Sequence, residues 1–199
     1  ILVGGATDDV LIKSLLVGGA YFGGWCKYSF PVRVPSGVRV AAQLSAGAAQ
    51  TSEPRVMVAL YGGSPPPGRV GRKVTTYGTK INDSRGQAVT PTASGGAASV
   101  TQMTASTSED HWWFIPGFQV STDSTIATAT NINVGIGVGA ATEERIGTWW
   151  FTKNASEMQT GPWPLDGAYR HVPAGSRLTL LASNGGSNDT AHDGHIYAV

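Results

Sequence analysis

Charge is scarce in this chain. Asp, Glu, Lys and Arg together make up 14% of its 199 residues, against roughly 25% in an average soluble domain. Fourteen basic residues stand against thirteen acidic ones, a net charge of +1. With no Lys/Arg run to neutralise phosphates along a duplex, nucleic acid is not an expected partner. Nor is a membrane, because no apolar stretch approaches the ~20 residues of a spanning helix. The single cysteine, Cys26, rules out an internal disulfide framework and a Cys-rich zinc site. Lying between Trp25 and Lys27 without a histidine nearby, it reads as a small buried hydrophobe rather than a nucleophile. Sustained apolar periodicity at 3.6 residues is also missing, so helices are expected to be short or absent.

Punctuation is what the chain has in excess. Twenty-seven glycines and eleven prolines divide it into short segments whose apolar residues alternate with polar ones or glycine. The clearest is Ile132-Asn-Val-Gly-Ile-Gly-Val-Gly139, in which Ile132, Val134, Ile136 and Val138 share one face of a strand. Its glycine spacing is not a dinucleotide fingerprint, because Thr142-Glu-Glu-Arg145 opens no amphipathic helix. Several such strands with a turn every ten or so residues specify an all-β sandwich or jelly roll.

The chain also repeats itself. Ile1-Leu-Val-Gly-Gly-Ala-Thr-Asp-Asp9 is answered by Ile136-Gly-Val-Gly-Ala-Ala-Thr-Glu-Glu144, an offset of 135. Val34-Pro-Ser-Gly-Val-Arg-Val40 is answered by Val172-Pro-Ala-Gly-Ser-Arg-Leu178, an offset of 138. The difference is a small insertion around Lys153 to Gly161, where a loop accommodates it. The reading is of two tandem antiparallel, jelly-roll-like β-sandwich units: residues 1–62, a Gly/Pro linker at 63–68, and residues 69–199. The first unit is expected to be incomplete at its N-terminus, since residues 67–135 have no counterpart ahead of Ile1. The acidic pairs Asp8-Asp9 and Glu143-Glu144 read as hairpin turns in preference to a calcium site. Val-Pro-x-Gly-x-Arg (Pro35, Gly37, Arg39; Pro173, Gly175, Arg177) reads as a type I turn with proline second and glycine fourth, launching a new strand. That strand places Leu178, Leu180 and Ala182 inward and Arg177 and Thr179 outward, and final strands are expected at Val56–Leu60 and Ile196–Val199. The Ser/Thr/Ala/Gly-rich segment Thr90–Asp110 is expected to be an extended arm, and Thr122–Thr130 to be better ordered.

This succession of a Trp-containing segment, Val-Pro-x-Gly-x-Arg-Val/Leu, an alternating strand, a Ser/Gly/Ala/Asn-rich loop and a closing Tyr61-Gly62 resembles the β-sandwich units of tailed-bacteriophage virion proteins. Phe30–Gly62 carries the resemblance best; in Trp163–Val199 it is interrupted by His171 and by His192-Asp-Gly-His195. It implies a non-enzymatic assembly component of a virion (tail, baseplate, fibre or head decoration) that self-associates and docks on other virion proteins.

Candidate sites follow from residue type. Two adjacent pairs, Trp112-Trp113 and Trp149-Trp150, fall in expected strands, where neighbours point to opposite faces. At offset 135 Trp150 matches Leu15 and Trp149 matches Ser14, which assigns Trp150 to the core and Trp149 to the surface. Outward Trp149, with Trp25, Trp163, Trp112 and Trp113, is therefore a candidate for subunit contact or for stacking on a sugar. Glycan binding, including a host surface glycan, is the alternative function. His192 and His195 are expected in a loop, not at a metal, because their spacing on an extended chain sends them to opposite faces. No cofactor is expected. Asp8, Asp9, Glu143, Glu144, Glu157 and Asp166 show no spacing that pairs two carboxylates across a cleft, and no Gly-x-Ser-x-Gly elbow occurs, so a glycosidase is the weakest of the three readings. The basic segment Arg69–Lys73 is expected to meet an acidic patch on a neighbour or to solvate the linker.

Overall fold

The computed structural model describes residues 1–4, 8–15, 27–43, 56–62, 70–79, 86–93, 96–120, 130–140, 142–153, 158–159, 167–186 and 192–199. Trp25, Cys26, Glu157, Trp163, Asp166, the whole of the 63–68 linker and nearly all of Thr122–Thr130 lie outside them. The described chain is all-β, with no helix among these residues.

Two antiparallel sheets form the body. One runs in the order β10 (Met158–Gln159), β9 (Glu144–Lys153), β8 (Thr130–Val138), β12 (Leu178–Asn184), β6 (Ser99–Thr104). The other runs β11 (Ala168–Val172), β7 (His111–Val120), β13 (His192–Ala198), β4 (Thr75–Tyr77), with β5 (Gln87–Val89) also paired to β13. The chain changes sheet between β5 and β6, β6 and β7, β7 and β8, β10 and β11, β11 and β12, and β12 and β13, the alternation of a jelly-roll-like sandwich. Alternation in sequence becomes the core directly: Ile132, Val134 and Ile136 from β8 and Leu178, Leu180 and Ala182 from β12 are fully buried. They meet Phe114, Phe118 and Ile196 of the facing sheet. Phe118 and Phe151 bring their rings to 5.4 Å across the interior. Gly194 lets the facing sheet approach closely, since a Cβ there would lie 2.5 Å from Leu180 Cδ1.

A third, smaller sheet has the order β2 (Asp8–Val10), β1 (Leu2–Gly4), β3 (Arg39–Ala41). Its registers match those of β9–β8–β12 pair for pair under the two sequence offsets. Leu2↔Val10 and Val3↔Asp9 correspond to Gly137↔Arg145 and Val138↔Glu144. Leu2↔Ala41 and Val3↔Val40 correspond to Gly137↔Thr179 and Val138↔Leu178. Similar segments thus make the same ladders twice. The small sheet is joined to the larger body: Leu11 and Ile12 share the core with Val74, Val74 N donates to Leu11 O at 2.8 Å, and Tyr28 and Phe30 set their rings edge-on to Tyr197.

Several local expectations are corrected. Both Val-Pro-x-Gly-x-Arg turns are shifted by one position: glycine stands third, with Gly37 at φ +77° and Gly175 at φ +84°. With Ser36 and Ala174 before them not at positive φ, that left-handed third position is the signature of a type II turn. Thr90–Asp110 is no arm. Its Ser99–Thr104 stretch is the edge strand β6, paired to β12, and Met103 joins the core. Beyond it, Thr107 Oγ1 donates to Pro173 O (3.0 Å) and accepts from Ser176 N (3.1 Å), tying this segment to the second turn. Hydroxyl-rich segments are poor in core residues yet well suited to an edge strand and a turn clamp. The histidines expected in a loop lie within β13: His192, Asp193 and His195 are all buried, covered by strands on both sides. Asp8, Asp9 and Glu144 sit in strands and not at hairpin tips. Val56–Leu60 forms no strand: Val56, Met57, Val58, Leu60 and Tyr61 are exposed. At offset 138 Val58 and Leu60 match Ile196 and Ala198, which β7 and β4 flank; no described strand flanks 56–61. Of the basic segment Arg69–Lys73, Lys73 meets Glu109 of its own chain at 3.2 Å, and Arg69 lies outside the described residues.

Candidate functional site

Cross-strand partners on adjacent antiparallel strands share a face, and this fixes the tryptophans of β9. Trp149 stands opposite Val134, and Phe151 opposite Ile132, so both enter the core. Trp150 stands opposite Asn133 and is 58% exposed. The assignment drawn from the repeat is therefore reversed: Trp149 is interior and no stacking platform, and Trp150 is the surface ring. Two features misled the offset. Leu15 and Ser14 lie beyond β2, with Ser14 at φ +56°, so they are not strand positions. Further, the β8–β9 register shifts between Ile136↔Gly147 and Gly137↔Arg145, leaving an extra residue at Ile146, and one inserted residue exchanges the faces. Gly147 makes room for the buried indole, since a Cβ there would lie 2.4 Å from Trp149 Cη2.

Around Trp150 the outer face of β8, β9 and β12 forms a shallow cavity of about 230 Å³, lined by Asn131, Asn133, Trp150, Ser183, Asn184 and Gly185 with Gly96 at its edge. Asn133 is paired on one side with Trp150 and on the other with Ser183, which sets an indole, an amide and a hydroxyl in a row across three strands. Thr152 Oγ1 donates to Asn131 Oδ1 (3.2 Å), Gly186 N donates to Asn184 Oδ1 (3.3 Å), and Gly185 N donates to Asn131 O (3.0 Å). Among the described residues the lining holds no ionisable side chain.

The other pair divides differently. Trp112 is half-buried and stacks on His171 at 4.2 Å, with Tyr169 at 6.2 Å. Asp110 supports this patch, its carboxylate lying 3.4 Å from His171 Nε2 and accepting from Ala174 N at 2.8 Å. Trp113 turns inward against Gly167, where a Cβ would lie 2.1 Å from the indole. Arg177 is a structural clamp: it ion-pairs with Glu143, and donates to Gly139 O (3.1 Å) and Gln102 Oε1 (3.0 Å). It thereby ties β12 to the β8–β9 hairpin.

One polar cluster is buried among aromatics. Tyr77 Oη lies 2.8 Å from His111 Nε2 and accepts from Ser108 N at 3.2 Å. Burial pushes the His111 imidazole below its ordinary pKa, against the opposing pull of Glu109. Burial alone would raise the Glu109 carboxyl, but hydrogen bonds from Thr75 and Lys73 and the charges of Lys73 and His111 hold it low. The cluster packs His111 between Tyr77 and Phe114. Asn131, Asn133 and Trp150 were missed by sequence reasoning; alternate asparagines on the outward face of the clearest strand were the available signal, once set opposite the right tryptophan.

No family model and no curated protein matches the chain. Among solved structures it has a likeness to infectious bursal disease virus, Gx strain, with a TM-score of 0.28 and 10% identity over 71% of this chain and 37% of that one. The Gt strain gives the same score and identity, over 71% and 36%. The chain thus spans little more than a third of the length of either.

Proposed function

We propose that this protein is a non-enzymatic structural component of a virion, of the tailed-phage kind that the Val-Pro-x-Gly-x-Arg units resemble, and that it associates with copies of itself and with other virion proteins. The observation that carries the reading is the doubled sheet: similar segments pair in the same register at β2–β1–β3 and β9–β8–β12. Tandem reuse of a packing unit suits a part selected for assembly. In this reading residues 1–62 and 69–199 are two units of one repeat. The association surface is the apolar segment 56–61, exposed along its length and corresponding to a strand that is flanked on both sides in the second unit. Contiguous exposed apolar residues of this kind mark interaction sites, and adding a strand from a second copy would give their backbone groups partners.

Light scattering at two protein concentrations a hundredfold apart tests this. A fixed closed oligomer at both, lost when Met57 and Leu60 are replaced by Asp, is the expected result. A monomer at both concentrations would overturn it.

A further inference from the structure

We infer that the cavity at Trp150 is a binding site for a neutral sugar ring. The site goes beyond the assembly role and does not depend on it. Three observations converge. First, Trp150 is an indole more than half exposed on strand β9, at one end of the three-strand row, rather than on a loop. Its backbone is held by the β8 ladder, so the ring is presented by a rigid element and little order is lost on binding. Second, the other described residues that line the cavity are amide, hydroxyl or glycine: Asn131, Asn133, Asn184, Ser183, Gly185 and Gly96. A pyranose has an apolar face of C–H groups and a rim of hydroxyls, and this lining matches both, stacking beneath and donors and acceptors beside. Third, among the described residues no charged group lines the cavity, which favours a neutral sugar over a phosphorylated or acidic one, whose anion would lose water without gaining a counter-charge from these residues. At about 230 Å³ the cavity is smaller than the ~300–1,000 Å³ of drug-sized sites, so it holds a single ring of a chain whose remainder stays in solvent.

A protein partner fits the same surface less well. Interface hot spots are aromatic anchors set in dry, well-packed pockets, and here the ring is bordered by wettable amides. The Trp112–Tyr169–His171 patch is the competing aromatic surface, but Trp112 is already stacked on His171, and Asp110 stands at its edge.

The full chain, labelled with nitrogen-15, would be titrated with cello-, chito- and galacto-oligosaccharides while the indole N–H resonances are followed. The expected result is a saturable shift of the Trp150 signal with at least one of these series. Trp150→Ala should weaken that binding about tenfold or more, which corresponds to ~1.4 kcal/mol. Asn133→Ala should weaken it several-fold, and Trp150→Tyr should retain most of it. Because Trp150 is exposed, circular dichroism and solution mass should be unchanged in all three variants. No saturable shift with any series, or undiminished affinity in Trp150→Ala, would overturn the site. So would a fall in solution mass on Trp150→Ala, which would make the ring a subunit contact.

Discussion

At Trp149 and Trp150 one strand position separates the interior from water, and the consequences for stability are opposite. Trp149 is 6% exposed and fills the space left by Gly147. Trp149→Ala should cost about 3–5 kcal/mol, as large aromatic truncations in cores do. Trp150→Ala should stay within about 0.5 kcal/mol of the parent. Urea unfolding of the two variants side by side checks the pair, and equal losses would contradict the observed faces. His111 adds a pH dependence. Its folded-state pKa is depressed by burial, so the unfolded chain binds the proton more readily as pH falls below the ordinary histidine value near 6.5. This contribution is therefore fully present above that value and is lost as pH falls toward the folded pKa. Unfolding midpoints at pH 7.5 and 5.5 should show a drop that is smaller in His111→Gln.

Turns and ladders carry the argument at the scale of the element. Gly37 and Gly175 both occupy the left-handed region, and a Cβ at either would meet nothing within 4 Å. Substitution there is opposed by the backbone alone, with no steric contribution from neighbours. Gly175→Ala should cost about 1–2 kcal/mol, and Gly37→Ala should impose the same local strain; differential scanning calorimetry of both variants measures it. Gly117 is a contrasting case. A Cβ there would lie 2.6 Å from Tyr197 Oη, so Gly117→Ala should destabilise by displacing a buried ring whose hydroxyl donates to Ser14 O at 3.0 Å. Alternation made β8 and β12 legible in advance, because period 2 with one buried face is written in the residues themselves. The edge strand β6 was not legible: Ser, Thr and Gln have the same composition in a loop as on a strand that faces solvent on one side. The closing strand expected at Ile196–Val199 is the second half of β13; its first half was not legible, because His192-Asp-Gly-His195 has the residues of a turn and is buried only because β7 on one side and β4 and β5 on the other enclose it.

For the molecule as a whole, the exposed segment 56–61 and the sugar-type cavity at Trp150 lie on different elements, so assembly and recognition should be separable. Replacing Met57 and Leu60 by Asp should lower the solution mass and leave oligosaccharide binding intact. Trp150→Ala should do the reverse, and light scattering combined with calorimetric titration distinguishes them.

The all-β class, the doubled segments and the inward residues of the two best strands are written in the residues, because low charge, glycine and proline punctuation and period-2 alternation are local properties of the chain. Which tryptophan is buried, that the histidines of β13 lie inside, and that two asparagines and an indole share one surface emerge from the folded chain alone. Those facts depend on strand register, and a single extra residue at Ile146 exchanges the faces of a strand whose composition is unchanged.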